Sequence, residues 1–256
     1  MARPLALATA VTPLAAAATF LLALPPTARA AEPRVLVVTE TAGFKHDSIP
    51  AARDWLRRLG RRTKRFDTVF LSRARDLTSR RLGRARAVVF LNTSGELSLG
   101  KGGRSRLLRF VRDGGGLVGT HSATDTLSRW SDWGPLIGAL FSHHPFTGTG
   151  RVIVEDGDHP ATRGLGASFR MREEYYYFKS NPRGRAHVLA RLDVASFGGD
   201  GSEDRPLVWC RREGEGRVFY DALGHFPATW GTKRQRRIVS GGLRWALGLE
   251  PAPACG

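Results

Sequence analysis

The chain has 256 residues, 41% hydrophobic and 25% charged, a balance that argues against a disordered chain and suffices for one domain with a sizeable core. The formal net charge is +17, and only five of the 40 basic residues are lysines. These cations are scattered through separate segments, where a nucleic-acid binder would gather them on one face, often with stacking aromatics, so nucleic acid is not an expected partner.

Arg3 gives a short basic start, and Leu14 to Leu24 is a nearly unbroken apolar run, too short to span a bilayer, which takes about 20 residues. Pro25 and Pro26 end it, and Ala28-Arg29-Ala30 has the small-x-small form of a signal-peptidase site. The expected organisation is a secretory signal over 1–30, one domain over 31–250 and a tail over 251–256. The mature protein is then secreted, with no stable membrane insertion.

Arg34 to Thr39 is a short continuous apolar run, the pattern of a strand buried on both faces. After the loop 40–47, Ser48 is placed to cap a helix with Pro50 in its first turn, and Trp55, Leu56 and Leu59 form its inner side. Phe66 to Leu71 and Ala87 to Leu91 read as further strands. A helix over about 103–113 follows, stopped by Gly114, Gly115 and Gly116, and then a strand over 117–120. Strands alternating with helices imply an α/β fold with a doubly wound, mostly parallel sheet, whose ligands bind at the carboxyl ends of the strands.

From Trp130 to Pro182 the rhythm breaks into a segment rich in aromatics, His, Gly and Pro, with one strand expected at 151–154. It reads as an elaborate active-site insertion. Strands return at 187–192, 206–211 and 217–220, the last two joined as a hairpin through Gly214 and Gly216. A final helix over about 233–247 presents Ile238, Leu243, Trp245 and Leu247 to the core. Cys210 and Cys255 are too few for a disulfide framework or a thiolate metal site, but in an oxidising compartment they are able to pair and pin the tail to a strand.

Six of the seven histidines, His46, His121, His143, His144, His159 and His225, sit in turn-like contexts; His187 opens a strand and reads as structural. His121 is the most informative. Gly119-Thr120-His121-Ser122-Ala123 follows a strand with small residues flanking the centre, the shape of a nucleophile elbow. With His at the tip, covalent acyl transfer is lost, while acid/base work, metal binding or substrate hydrogen bonding stay open. Glu173 to Phe178 sets two carboxylates before three tyrosines and a phenylalanine, a composition that suits a sugar site or, equally, a strand with one buried aromatic face. If extended, Glu174, Tyr176 and Phe178 share one side. No HExxH, CxxC pair, phosphate loop or dinucleotide fingerprint is present.

These residues carry a family resemblance. Gly43-Phe44-Lys45-His46-Asp47-Ser48-Ile49, Gly119 to Asp125, Phe141 to Pro145, Asp158-His159-Pro160, Glu173 to Tyr176 and Gly216 to His225 together resemble the motifs of the ThuA-like, trehalose-utilisation family. Glu173 stands where that family usually has Asp. The resemblance implies a class I glutamine amidotransferase-like fold, a flavodoxin-like variant with His at the elbow in place of Cys, and a link to disaccharide or keto-sugar use.

The expected catalytic residues are His121, Glu174 and His225. Glu174 is the candidate carboxylate acid/base, and His121 the group that polarises or deprotonates a sugar hydroxyl. The expected substrate-binding residues are His46, His144, His159, Asp125 and Tyr176. Neutral imidazole also ligates divalent ions such as zinc, so a metal stays open beside proton transfer. The expected partner is a small-molecule carbohydrate. The alternative reading is a carbohydrate-binding protein without turnover.

Overall fold

The computed structural model describes residues 1–2, 33–145 and 147–255, so the expected leader and its cleavage point lie outside the described residues. Glu32–Gly256 forms one compact unit. Among the described residues, no helix is long and apolar enough to cross a membrane.

Strand β1 (Arg34–Val38) is buried from Val35 to Val38, each side chain contributing about 1.5–3 kcal/mol relative to exposure. It lies between β2 (Asp67–Leu71) and β3 (Ala85–Leu91), parallel to both. Strand β4 (Gly116–Thr120) pairs parallel with β3 and, on its other edge, with β11 (Gly216–Asp221). These five strands form the doubly wound core of a nine-stranded sheet ordered β2-β1-β3-β4-β11-β10-β9-β6-β7. The remaining four, β10 (Arg205–Glu213), β9 (His187–Asp193), β6 (Thr147–Val154) and β7 (Ser168–Glu174), extend it with antiparallel pairings. A separate two-stranded sheet joins β5 (Phe141–His143) to β8 (Tyr177–Phe178).

The main helices are α1 (Ile49–Thr63), α3 (Gly100–Arg112) and α5 (Lys233–Ala246), with single turns α2 (Ser79–Leu82) and α4 (Trp133–Ile137). Helix α1 buries Trp55, Leu56 and Leu59, as its periodicity predicts. Ser48 does not cap it, however. Its hydroxyl accepts a hydrogen bond from the side chain of Asn92, 2.9 Å away, and so serves the loops instead of the helix.

The segment over 130–182 holds four strands where the sequence shows one. Strand β6 begins Thr-Gly-Thr-Gly, which lacks apolar side chains, and β7 alternates buried Phe169, Met171 and Glu173 with exposed polar residues. Strands with one wet face give such weak signals.

Cys210 and Cys255 are disulfide-bonded with their Cα atoms 5.5 Å apart, tying the short 3₁₀ turn Pro253–Cys255 to β10. Reducing this bond, or Cys255→Ser, is expected to lower stability by about 2–4 kcal/mol. Urea unfolding with and without reductant measures this; an unmoved midpoint after thiol titration has verified reduction would contradict it.

Candidate active site

Strand direction decides which loops meet. The carboxyl ends of β1, β3, β4 and β11 lie on one edge of the sheet because those strands are parallel. Two antiparallel steps make β9 run with β11, a third reverses β6, and a fourth restores β7 to the common direction. The start of β6 and the end of β7 therefore also reach the carboxyl edge. His144, which precedes β6, and Glu174, which ends β7, arrive there with His46, His121 and His225.

The tip of the elbow is His121, fully buried, with φ of +46°. Residues other than Gly uncommonly hold this conformation, Asn, Asp and His more readily than most, and such strain persists only where the surroundings fix it. Here they do. The Tyr220 hydroxyl donates to the His121 carbonyl at 2.5 Å, and a Cβ on Gly119 would stand 3.1 Å from the Ala123 Cβ and 2.8 Å from Ile137. The small residues on either side of His121 face each other across the turn and let it close. A 3₁₀ turn over His121–Asp125 follows, in place of the helix that a strand-to-helix elbow opens.

The His121 ring is oriented from behind. Its Nδ1 lies 2.9 Å from the Ala222 carbonyl, an acceptor only, so Nδ1 carries the hydrogen and Nε2 presents a lone pair in the neutral ring. Around that Nε2 stand the Tyr176 hydroxyl at 2.9 Å, His46 Nε2 at 3.1 Å, His225 Nδ1 at 3.2 Å and Glu174 Oε2 at 3.3 Å. Glu174 Oε2 is also 3.1 Å from His225 Nδ1, and its other oxygen is 3.1 Å from His144 Nε2. The His144 side chain is 38% exposed and forms the outer side of the group.

The chemical states follow from these surroundings. Burial pushes the His46 imidazole down to about 3, with the neighbouring His121 and His225 adding to the effect, so it is neutral at physiological pH. Burial alone would raise the Glu174 carboxyl, but the His121 and His225 nitrogens outweigh it and hold it well below the ordinary carboxylate range. It is a carboxylate, not the proton donor that one of its expected roles requires. Burial, then the Glu174 charge, keeps the Tyr176 hydroxyl protonated far above its usual range. Burial also raises the Asp125 carboxyl, against the opposing Lys179 ammonium, and its charge is felt at Tyr176.

His159 does not join this group. Because β6 runs against β11, the loop that follows it leaves from the opposite edge of the sheet. The His159 ring lies parallel to Phe219 at 6.0 Å and edge-on to Trp245, with Cys210 and Cys255 nearby. Burial holds it at about 4, with the Asp156 carboxylate opposing the shift. A base whose folded pKa is depressed contributes stability that is complete above its unfolded value of about 6.5 and lost as pH falls towards 4. The expected loss across that window is about 3 kcal/mol. His159→Phe should flatten the dependence of unfolding free energy on pH between 6.5 and 4; an unchanged slope contradicts it.

Three residues that build the site were not among its expected residues. Asn92, with φ of +46°, accepts from Thr120 Oγ1 at 2.7 Å and donates to Ser48 Oγ and the Gly224 carbonyl, both at 2.9 Å. It ties together the loops after β1, β3, β4 and β11. Glu173, fully buried, accepts from the backbone N–H groups of Gly224 and His225 and from the Thr229 hydroxyl, fixing the loop that carries His225. Tyr220 is the third. An Asn placed straight after a buried strand and a doubled Glu are the signals that point to the first two.

The roughly 880 Å³ cavity elsewhere on the chain is a different feature. Arg58, Arg61, Arg62, Arg236 and Arg237 of α1 and α5 line it, and no histidine does.

Comparison with known proteins agrees with this architecture. The family model ThuA, described as trehalose utilisation, matches residues 34–246. No curated protein matches the chain. A ThuA-like protein of Bacteroides uniformis superposes with a TM-score of 0.71 at 21% identity, covering 86% of this chain and 94% of the other. A ThuA-like protein of Parabacteroides merdae gives 0.72 at 19% identity, covering 87% and 93%. A β-galactosidase of Bacillus circulans sp. alkalophilus shares the fold at 13% identity and a TM-score of 0.56, covering 84% of this chain and 31% of that one.

Proposed function

The chain belongs to the ThuA, trehalose-utilisation family, and from that premise we propose that it is a secreted protein that hydrolyses or converts a glycoside or keto-sugar in the His/Glu cleft. The observation that carries this reading is the convergence of His46, His121, His225 and Glu174 from four separate loops at the carboxyl edge, where α/β sheets bind ligands. Glu174, His121 and His225 form the reacting centre. Glu174 enters as an ionised acceptor, and Tyr176, which keeps its proton, is the donor beside it. His144, half in solvent and bonded to Glu174, together with Asp125, faces the substrate's hydroxyl groups. The Phe44 ring is 66% exposed next to His46 and offers a flat apolar surface to a pyranose face.

Incubating the purified protein with glycosides and 3-keto-glycosides and following products by NMR tests this. Product formation from at least one is the expected result. Calorimetric binding with no product would leave a sugar-binding module, and neither binding nor product would end the carbohydrate reading.

Secretion is supported by the apolar run from Leu14 to Leu24, and by a disulfide of the kind that persists in oxidising compartments. Mass spectrometry of exported protein should find an N-terminus near Ala31 or Glu32; intact Met1 contradicts cleavage.

A further inference from the structure

The contacts around His121 Nε2 exceed what hydrogen bonding supplies. With Nδ1–H given to the Ala222 carbonyl, the neutral ring has a single in-plane lone pair. Yet four polar atoms lie within 3.3 Å of it: two imidazole nitrogens, a phenol hydroxyl and a carboxylate oxygen. One lone pair satisfies one donor well. A cation enclosed by these atoms satisfies them together.

The spacing is that of ligands around such a cation. Zinc binds imidazole nitrogen and carboxylate oxygen at about 2.0–2.1 Å, which places neighbouring ligands of a tetrahedron about 3.3 Å apart. Four separations among His46 Nε2, His121 Nε2, His225 Nδ1 and Glu174 Oε2 are 3.1, 3.2, 3.1 and 3.3 Å, and all these atoms lie within 4.8 Å of one another.

The surroundings are those of metal ligands as well. Metal-bound histidines donate or bond through their second nitrogen to a fixed partner. His121 does so to the Ala222 carbonyl, and His46 Nδ1 is 3.3 Å from Ser122 Oγ. The His225 backbone is clamped by Glu173, and the second Glu174 oxygen is bonded by His144.

We propose that His46, His121, His225 and Glu174 bind one divalent transition-metal ion, of the zinc class, at the carboxyl edge of the sheet. Three imidazoles and one carboxylate suit such an ion, whereas calcium and magnesium take all-oxygen sets. The His225 and Glu174 side chains keep 18% and 8% exposure, so the cluster is reached by solvent from their side. When bound, it supplies Lewis-acid polarisation of a substrate oxygen or water. Its role with sugar rests on the carbohydrate reading; its binding does not.

The test is calorimetric titration of chelator-treated full-length protein with zinc, alongside the visible spectrum of the cobalt-loaded form. The expected result is one ion per chain and the strong absorption of four-coordinate cobalt. Glu174→Gln and His225→Ala should each weaken binding at least about 100-fold, beyond the roughly 10–100-fold cost of changing only a supporting partner. His143→Ala, an exposed ring stacked on Tyr177, should leave binding unchanged. Absence of stoichiometric binding by folded wild-type protein overturns the proposal, as does unaltered affinity in both ligand variants. Metal binding with neither sugar binding nor turnover would end the carbohydrate reading alone, and sugar turnover by folded protein that takes up no stoichiometric metal would end this one alone.

Discussion

His121→Asn is expected to lower kcat/KM on a confirmed substrate roughly 10²–10⁴-fold, the scale of losing a group that acts directly on the reacting atoms. Asparagine is the informative replacement because it tolerates the positive φ that Gly119, Ala123 and Tyr220 impose at this position. Its side chain is too short to present a nitrogen among His46, His225, Tyr176 and Glu174. The backbone of the elbow is thereby kept while the converging lone pair is removed. The lost ring leaves a buried gap, so a few degrees of melting temperature should also go. Turnover within about twofold of wild type would make His121 a structural residue of the turn and would remove the reacting centre from this place.

Glu173→Ala is expected to cost about 3 kcal/mol or more and to lower the melting temperature by about 6–12 °C for a domain of this size. The carboxylate is fully buried and accepts from two backbone N–H groups and one hydroxyl, all on the segment from Gly224 to Thr229. Truncation leaves these donors without partners, each at about 1–3 kcal/mol. It also frees His225, whose Nδ1 sits 3.2 Å from His121 and 3.1 Å from Glu174. A displacement of about 1 Å there is worth about 100-fold in rate. Glu173→Gln, which keeps one acceptor oxygen, should fall between. Thermal melts and kcat/KM measured together test this, and a melting point within about 2 °C with unchanged turnover contradicts it.

The parallel core was legible because its strands are buried on both faces and read as continuous apolar runs, such as Val35–Val38 and Val88–Leu91. His46 and His121 were legible for the same reason, since each follows a strand whose direction the βα rhythm sets, and His225 lies between the last strand and the final helix. His159 was not, because no local signal in residues 147–154 states that β6 runs backwards. Glu174 and His144 reach the site through that same reversed strand and its partner, so their placement depended on family motifs more than on pattern. Asn92, Glu173 and Tyr220 act by holding backbone, and the partners they hold lie 28 to 132 residues away. Periodicity reports which face of an element is buried and carries no record of such distant pairings.

The most direct measurement is a crystal structure of the protein with a turned-over or bound sugar. The expected result places a sugar oxygen within about 3.2 Å of Glu174, His144 or Tyr176, hydrogen-bond range, with its ring beside Phe44. A sugar seated away from His121, for instance among the arginines of α1 and α5, would contradict the site.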